Sequence, residues 1–316
     1  MEPSRQREEH LVGAPITGSV LLAWRRDQLQ AGGRPAELDW LLDLAGGVSW
    51  QQLQALRLQP HRQLSLAQPL EQLAALWHRH LASDEPLQYL VGRCPWRDLE
   101  LRVAPGVLIP RQETETLIDM ALHQSPPPSG QRWADLGTGS GCIACALAKA
   151  WPGCAGLAVD LSTEALALAA ANLQATGCMD RVELLQGSWW EPLRPWWGRL
   201  ALVVANPPYI PTAVWAELEP VVRCHEPALA LDGGVDGLSA LRQIAAGAAQ
   251  ALAPGGTLLL EHHHDQSDQV LGLLKEAGLQ QPTAHPDLEG QWRFASAHRA
   301  APHAPANPAQ GFSPQP

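Results

Sequence analysis

Lysine is almost missing from this chain: Lys149 and Lys275 are the only two among 22 basic residues, against 32 acidic ones, for a formal net charge of −10 over 316 residues. Affinity for a nucleic-acid backbone comes mostly from clustered Lys and Arg that neutralise phosphates, so a general phosphate-backbone binder is disfavoured. Charged residues reach only 17%, below the roughly 25% of ordinary globular chains, while the hydrophobic share of 46% is normal. The chain reads as globular with a sparsely charged surface. No run of eighteen apolar residues occurs, so no helical membrane span is expected. Residues 1–18 lack the apolar core of a secretory signal, and six cysteines over this length read as reduced thiols of a cytoplasmic protein, without disulfides. Tyrosine and phenylalanine are scarce, two each, whereas tryptophan reaches thirteen.

What is present is organised. At roughly 150 residues per domain the length suggests about two domains. From Gly18 to about residue 85, apolar residues recur at steps of three and four (Leu38, Leu41, Leu42, Ala45; Leu70, Leu73, Leu76, Trp77, Leu81), broken by Gly32-Gly33, Gly46-Gly47 and Pro60. This predicts a small helical bundle over residues 18–85. Residues 86–110 alternate in short stretches, including Leu87–Leu90 and Leu99–Val103, and predict a β-hairpin linker. From Arg111 to about residue 298, strands predicted at Arg132–Leu136, Gly156–Val159, Val182–Leu185, Leu200–Ala205 and Thr257–Leu260 alternate with helices such as Glu164–Ala175 and Ser239–Leu252. That order implies an α/β fold with a mainly parallel, doubly wound sheet, whose ligands bind at the carboxyl ends of the strands. Residues 1–17 and the proline-rich 299–316 are expected to be disordered.

Three constellations carry chemistry. Gly137-Thr138-Gly139-Ser140-Gly141 follows a predicted strand and opens a helix, where glycines admit close approach of a ligand and the helix N-terminus offers free N–H groups. A dinucleotide fingerprint would want glycine at 142, which is Cys, so a nicotinamide reading weakens. Asp160 ends the next strand, 21 residues after Gly139, where an acid accepts hydrogen bonds from the ribose of an adenine nucleoside, although it could also cap the helix that begins near Ser162. Asn206-Pro207-Pro208-Tyr209 follows the strand L-A-L-V-V-A. Prolines donate no backbone hydrogen bond and leave their carbonyls free, so Asn206 Oδ1 and the Pro207 carbonyl could accept both hydrogens of a planar NH2 group, with Tyr209 packed on it.

With these motifs stand V-L-I-P-R-Q-E-T-E-T-L (107–117), H-E-P-A-L-A-L-D-G-G-V-D-G-L (225–238), L-A-P-G-G-T-L-L-L-E (252–261) and D-L-E-G-Q-W-R (287–293). Over about residues 18–298 the chain resembles the HemK-type protein-(glutamine-N5) methyltransferases that modify peptide-chain release factors. The resemblance implies a Rossmann-like class I methyltransferase domain with a mainly parallel seven-stranded sheet, and S-adenosyl-L-methionine as cofactor. It implies that Gly137, Thr138, Gly139, Ser140 and Gly141 surround the cofactor, that Asp160 holds its ribose, that Trp189 lines the adenine, and that Asn206 also borders it. Asn206, Pro207, Pro208 and Tyr209 would bind the substrate amide, with Asn206, Pro207 and Tyr209 carrying catalysis; Arg111, Glu113 and Thr114 would close over the cofactor. The implied partner is a class 1 release factor met by a monomer in the cytoplasm, with no nucleic acid and no membrane. The stretch L-L-L-E-H-H-H-D-Q departs from the family, which usually has glycine after the glutamate.

Two rivals stay open at this level. An adenine or cytosine amino-methyltransferase uses a similar tetrapeptide, but the missing lysines and acidic balance count against it. Cys142-x-x-Cys145 and His262–His264 prompt a metal or redox reading; with no second cysteine pair at zinc spacing, helix packing suits the cysteines better and no metal is expected.

Overall fold

The computed structural model describes residues 15–301. Within it the chain forms two compact units: the part up to Pro110 together with Ala213–Ala230, and Arg111–Thr212 together with the part from Leu231 onward.

The first unit is the expected bundle. Helices α1 (Gly18–Gln30), α2 (Pro35–Leu44), α3 (Trp50–Leu58) and α4 (Leu70–Ser83) bury Leu21, Leu38, Leu41, Leu42, Leu53, Leu73 and Trp77 against one another. Their starts follow capping chemistry: Thr17 accepts from Val20 N, and Ser49 from Gln52 N, each satisfying an otherwise unpaired helix donor. Ile16–Thr17 (β1), expected to lie in a disordered end, instead pairs with Gln63–Leu64 (β2), because the N-terminal approach to α1 needs partners for its backbone. The rest of the predicted N-terminal tail, residues 1–14, lies outside the described residues.

In the linker, the strand expected over Leu87–Leu90 is a helix, α5 (Leu87–Val91). Four residues are too few to settle a period; Pro86 before the segment and Gly92, left-handed at φ 75°, after it favour one helical turn. The turn carries Tyr89 inward, where its hydroxyl donates to the Val107 carbonyl at 2.7 Å. The expected hairpin follows as β3 (Arg93–Trp96) and β4 (Leu99–Arg102).

The second unit begins with α6 (Glu115–Leu122), then runs β5 (Arg132–Leu136), α7 (Cys142–Ala150), β6 (Gly156–Asp160), α8 (Thr163–Ala175), β7 (Val182–Gln186) and β8 (Leu200–Ala205). After β8 come two short helical turns, α9 (Thr212–Trp215) and α10 (Pro220–Arg223). Residues 213–230 were expected to lie within the second domain; they cluster with the first unit instead. The chain resumes the second unit with α11 (Ser239–Ala251), β9 (Leu252–Glu261), α12 (Ser267–Glu276), β10 (Gln280–Pro286) and β11 (Trp292–His298).

These strands form one seven-stranded sheet in the order β10-β11-β9-β8-β5-β6-β7. The five strands from β9 to β7 are mutually parallel, and β11 runs antiparallel to both of its neighbours. Ala134, Leu136, Leu157, Val203, Leu258 and Leu260 form the buried centre with Leu241 and Ile244 of α11. Arg299, expected to lie in a disordered tail, is instead paired: its N donates to the Gly256 carbonyl at 2.9 Å; the rest of that expected tail, residues 302–316, lies outside the described residues.

Gly156 shows why one position in an apolar strand is bare. A Cβ there would come within 2.0 Å of Trp133, a fully buried ring on the adjacent strand. Gly156→Ala is expected to lower the unfolding free energy by about 1–3 kcal/mol through overpacking, read as a lower midpoint in urea; a wild-type midpoint would show that the ring can move aside.

Candidate active site

Register builds the site. Leu136 of β5 pairs with Val159 of β6 on one side and Ala205 of β8 on the other, and Ala205 pairs with Leu260 of β9. The next residue on each strand is Asp160, Gly137, Asn206 and Glu261. Four adjacent strand ends therefore deliver, side by side, an acid, the first glycine of the loop, the amide of the Asn-Pro-Pro-Tyr turn and a second acid. The sequence singled out the first three and passed over Glu261 as a site residue.

The glycine loop turns tightly, with Gly137, Gly139 and Gly141 all at positive φ. Asp160 holds it: Oδ2 accepts from Gly139 N at 2.8 Å while Oδ1 accepts from Ser162 N at 2.9 Å. The separate role of capping α8 falls to Ser162, whose hydroxyl accepts from Ala165 N. Thr138 and Ser140 are buried; the Thr138 hydroxyl donates to Asp135 Oδ2 at 2.6 Å, and the Ser140 carbonyl accepts from Asn172. Trp189, left-handed at φ 42°, packs its ring against Gly137, where a Cβ would stand 3.3 Å from it. Its neighbours in sequence do other work. Trp190 is core, its Nε1 donating to the Ile244 carbonyl, and Trp196 takes the guanidinium groups of both Arg132 and Arg199, at 4.0 and 4.8 Å from its centroid.

Asn206 and Tyr209 are half-buried and Pro207 is buried. The turn is held from behind by the G-G-V-D-G segment: Gly237, at φ 73°, sits where a Cβ would fall 2.3 Å from the Tyr209 carbonyl, so no other residue fits without displacing the turn. Gln266 Nε2 donates to the same carbonyl at 3.0 Å. On the side-chain side, Asn206 Nδ2 donates to Thr114 Oγ1 at 2.9 Å, Thr114 Oγ1 donates to Glu261 Oε2 at 2.7 Å, and the Tyr209 hydroxyl donates to Glu261 Oε1 at 3.2 Å. Thr114, expected at the cofactor, thus joins the amide turn to Glu261.

Two carboxyls here are costly to ionise. Burial pushes Asp135 up to about 7, with nearby Asp160 adding to the shift and the Thr138 hydroxyl opposing it. Burial likewise pushes Glu261 up to about 7, opposed by the hydrogen bonds from Thr114 and Tyr209 and by Arg293, and aided by Glu113. The more open Asp160 is also raised by burial. A signal for both buried acids was present in the sequence: each terminates or nearly terminates an otherwise apolar strand, W-A-D-L and L-L-L-E.

The rival metal motifs resolve differently. Cys142 and Cys145 are buried in α7, and burial pushes both thiols up, Cys145 to about 12, so they pack as small apolar groups. His262 is buried beside Glu261 and kept neutral by burial; His263 instead pairs with Asp265 at 2.6 Å and lies against Tyr209, centroids 6.4 Å apart.

The Methyltransferase small domain family matches residues 113–216, the segment holding the glycine loop, Asp160 and the Asn206 turn. The sheet and its loop are those of a Rossmann-like, S-adenosylmethionine-dependent methyltransferase. Over 286 residues, 90% of this chain and 98% of the relative, it is 51% identical to the release factor glutamine methyltransferase of Prochlorococcus marinus. It is 41% identical to that of Synechocystis sp. over 89% of this chain and 97% of the relative. A solved release-factor-specific protein-(glutamine-N5) methyltransferase from Alicyclobacillus acidocaldarius is 32% identical, covering 63% of this chain and 99% of its own, at a TM-score of 0.39. The chain belongs to the release factor glutamine methyltransferase family.

The residues present fit S-adenosylmethionine. Gly137, Gly139 and Gly141, all at positive φ, leave a bare backbone that a ligand can approach closely, and the Asp160 oxygens keep spare lone pairs for hydroxyl donors.

The raised carboxyls make stability fall with rising pH. Asp135 and Glu261 bind protons near pH 7 in the native state against 3.8 and 4.5 ordinarily, so between about pH 4 and 7 the native state holds more protons and stability is lost across that window. In ligand-free protein, urea unfolding is expected to give a free energy on the order of 4 kcal/mol lower at pH 8 than at pH 5.5 from these two groups, and Asp135→Asn to remove about half of the difference. Equal pH dependence in the variant would remove Asp135 from the account.

Proposed function

We propose that this protein transfers the methyl group of S-adenosylmethionine to the side-chain amide nitrogen of the glutamine in the Gly-Gly-Gln motif of class 1 peptide chain release factors. The observation that supports this reading is the side-by-side emergence of Gly137 and Asn206 from paired strands: the glycine loop would hold the cofactor and the Asn206 turn the planar amide. In this reading the enzyme is a cytoplasmic monomer that needs neither nucleic acid nor membrane.

Bound S-adenosylmethionine supplies an electrophilic methyl group on a sulfonium. What the chain must supply is geometry, because an amide lone pair is delocalised into its carbonyl and the nitrogen is a weak nucleophile. Gly137 to Gly141 would give the cofactor backbone N–H groups, Asp160 would take the ribose hydroxyls, and Trp189 would wall the loop. Asn206 Oδ1 and the Pro207 carbonyl accept the two amide hydrogens, so electron density returns to nitrogen as those bonds polarise. Pro207 and Pro208 keep their carbonyls out of backbone pairing, and Tyr209 packs on the amide plane. Alignment of this kind is worth on the order of 7–11 kcal/mol of barrier. Removal of the surplus proton follows transfer.

A nucleobase amine would meet the same two acceptors, and the acidic, lysine-poor chain is what disfavours it. The test is to incubate the protein and labelled S-adenosylmethionine with a release factor, with the same factor after replacement of its Gly-Gly-Gln glutamine, and with DNA. Label on the intact factor alone is expected; label on DNA or on the replaced factor overturns the reading. Asn206→Ala is expected to lose nearly all turnover with cofactor affinity largely kept. Asp160→Ala is expected to raise the cofactor dissociation constant, measured by calorimetry, and unchanged affinity would remove Asp160 from the ribose site.

A further inference from the structure

Asn206 can serve as an acceptor for a substrate amide only if its side chain is the right way round, because the two ends of an amide differ in chemistry but hardly in shape. Its orientation is set by Thr114. A threonine hydroxyl has one hydrogen, and Thr114 spends it on Glu261 Oε2 at 2.7 Å. An ionised carboxylate only accepts, so the direction of that bond is not negotiable. Thr114 Oγ1 can then only accept from Asn206 at 2.9 Å, and the Asn206 atom facing it must be Nδ2. Oδ1 is turned the other way. The second oxygen of the same carboxylate takes the Tyr209 hydroxyl at 3.2 Å, so one group, 1% exposed, governs both ends of the tetrapeptide.

We propose that Glu261 is a positioning residue of the amide-binding turn: through the Thr114 hydroxyl it dictates which end of the Asn206 amide meets the substrate, and directly it fixes Tyr209. The inference rests on the reading that Asn206 to Tyr209 hold a planar amide, and it adds a group outside the tetrapeptide on which that function depends.

Its protonation reverses the chain of donors. A neutral Glu261 can donate to Thr114, which frees the threonine hydrogen to point at Asn206 and favours Oδ1 on the inner side. The groups that bear on Glu261 are Thr114 and Glu113 before α6, Tyr209 after β8 and Arg293 on β11; burial outweighs the stabilising ones and brings its titration to about 7. Turnover therefore falls as pH drops through that value, while the cofactor subsite, built on other strands, is untouched by the reversal.

Glu261→Gln keeps the shape and introduces a donor. With a release factor as substrate from pH 6 to 9, it is expected to lower kcat on the order of 100-fold, to leave KM and the cofactor dissociation constant within roughly twofold, and to erase the acidic limb of the kcat profile. Thr114→Val, which keeps the size and loses the hydroxyl, is expected to lose activity that Thr114→Ser largely recovers. Thermal unfolding of each variant identifies any that fail to fold. In parallel, the Asn206 side-chain NH2 resonance of the ligand-free protein is expected to shift with a midpoint near pH 7 in wild type and to lose that titration in Glu261→Gln. A wild-type kcat and pH profile in folded Glu261→Gln, equal loss in Thr114→Ser and Thr114→Val, or an Asn206 resonance indifferent to Glu261 would each overturn the proposal. Should wild type fail to methylate the release factor while the Asn206 resonance still follows Glu261, the substrate reading falls and the relay stands.

Discussion

The parallel pairing of β6, β5, β8 and β9 is the constraint on which the site depends. Strands in a sheet lie about 4.8 Å apart, so four neighbouring strand ends span about 14 Å in a fixed order. The row Val159, Leu136, Ala205 and Leu260 is buried and apolar, and it locks the register because a one-residue slip would turn a whole strand's side chains to the wrong face. Asp160, Gly137, Asn206 and Glu261 lie one residue beyond that row. Loops can vary in length and composition, but Asp160, Gly137, Asn206 and Glu261 cannot lose their order without breaking the hydrophobic core that holds them.

Two acids beside the row are not comfortable there. Asp135 and Glu261 are buried acids whose charge opposes folding. A core designed only for stability would have apolar residues at both positions. The neighbouring buried thiols of α7 and the packed Trp190 contrast with these acids, since their burial agrees with their chemistry.

Much of this was legible in the residues themselves. The long three-and-four periodicities of the bundle and the strand–helix alternation after Arg111 are extended signals, and both appear as expected. Asn206-Pro207-Pro208-Tyr209 stood out through its combination, since a strand-ending Pro-Pro turn alone is common but one with Asn before it, Tyr after it and a glycine loop upstream is not. Leu87–Leu90 misled because its alternation covers only four residues, too few to distinguish one helical turn from a strand. Glu261 and Thr114 lie 147 residues apart, and no local pattern in either stretch announces that a hydroxyl will meet a carboxylate. The tryptophans were the least readable: Trp189, Trp190, Trp196 and Trp197 share a composition, while their separation into loop wall, core and cation partner depends on which neighbours the fold brings to each ring.

The grouping of Ala213–Ala230 with the first unit has a bearing on how the molecule comes into being. The chain crosses from one unit to the other after Pro110, after Thr212 and after Ala230. During synthesis, domains ordinarily fold in turn as each leaves the ribosome, the N-terminal one first. Here the leading unit is not complete at residue 110, because its last segment is translated only after β5 to β8 have been made. The bundle's own buried core, Leu21 to Leu87, holds no residue of that segment, so it is translated whole about a hundred residues, at about 5–20 residues per second, before the last piece that clusters with its unit arrives.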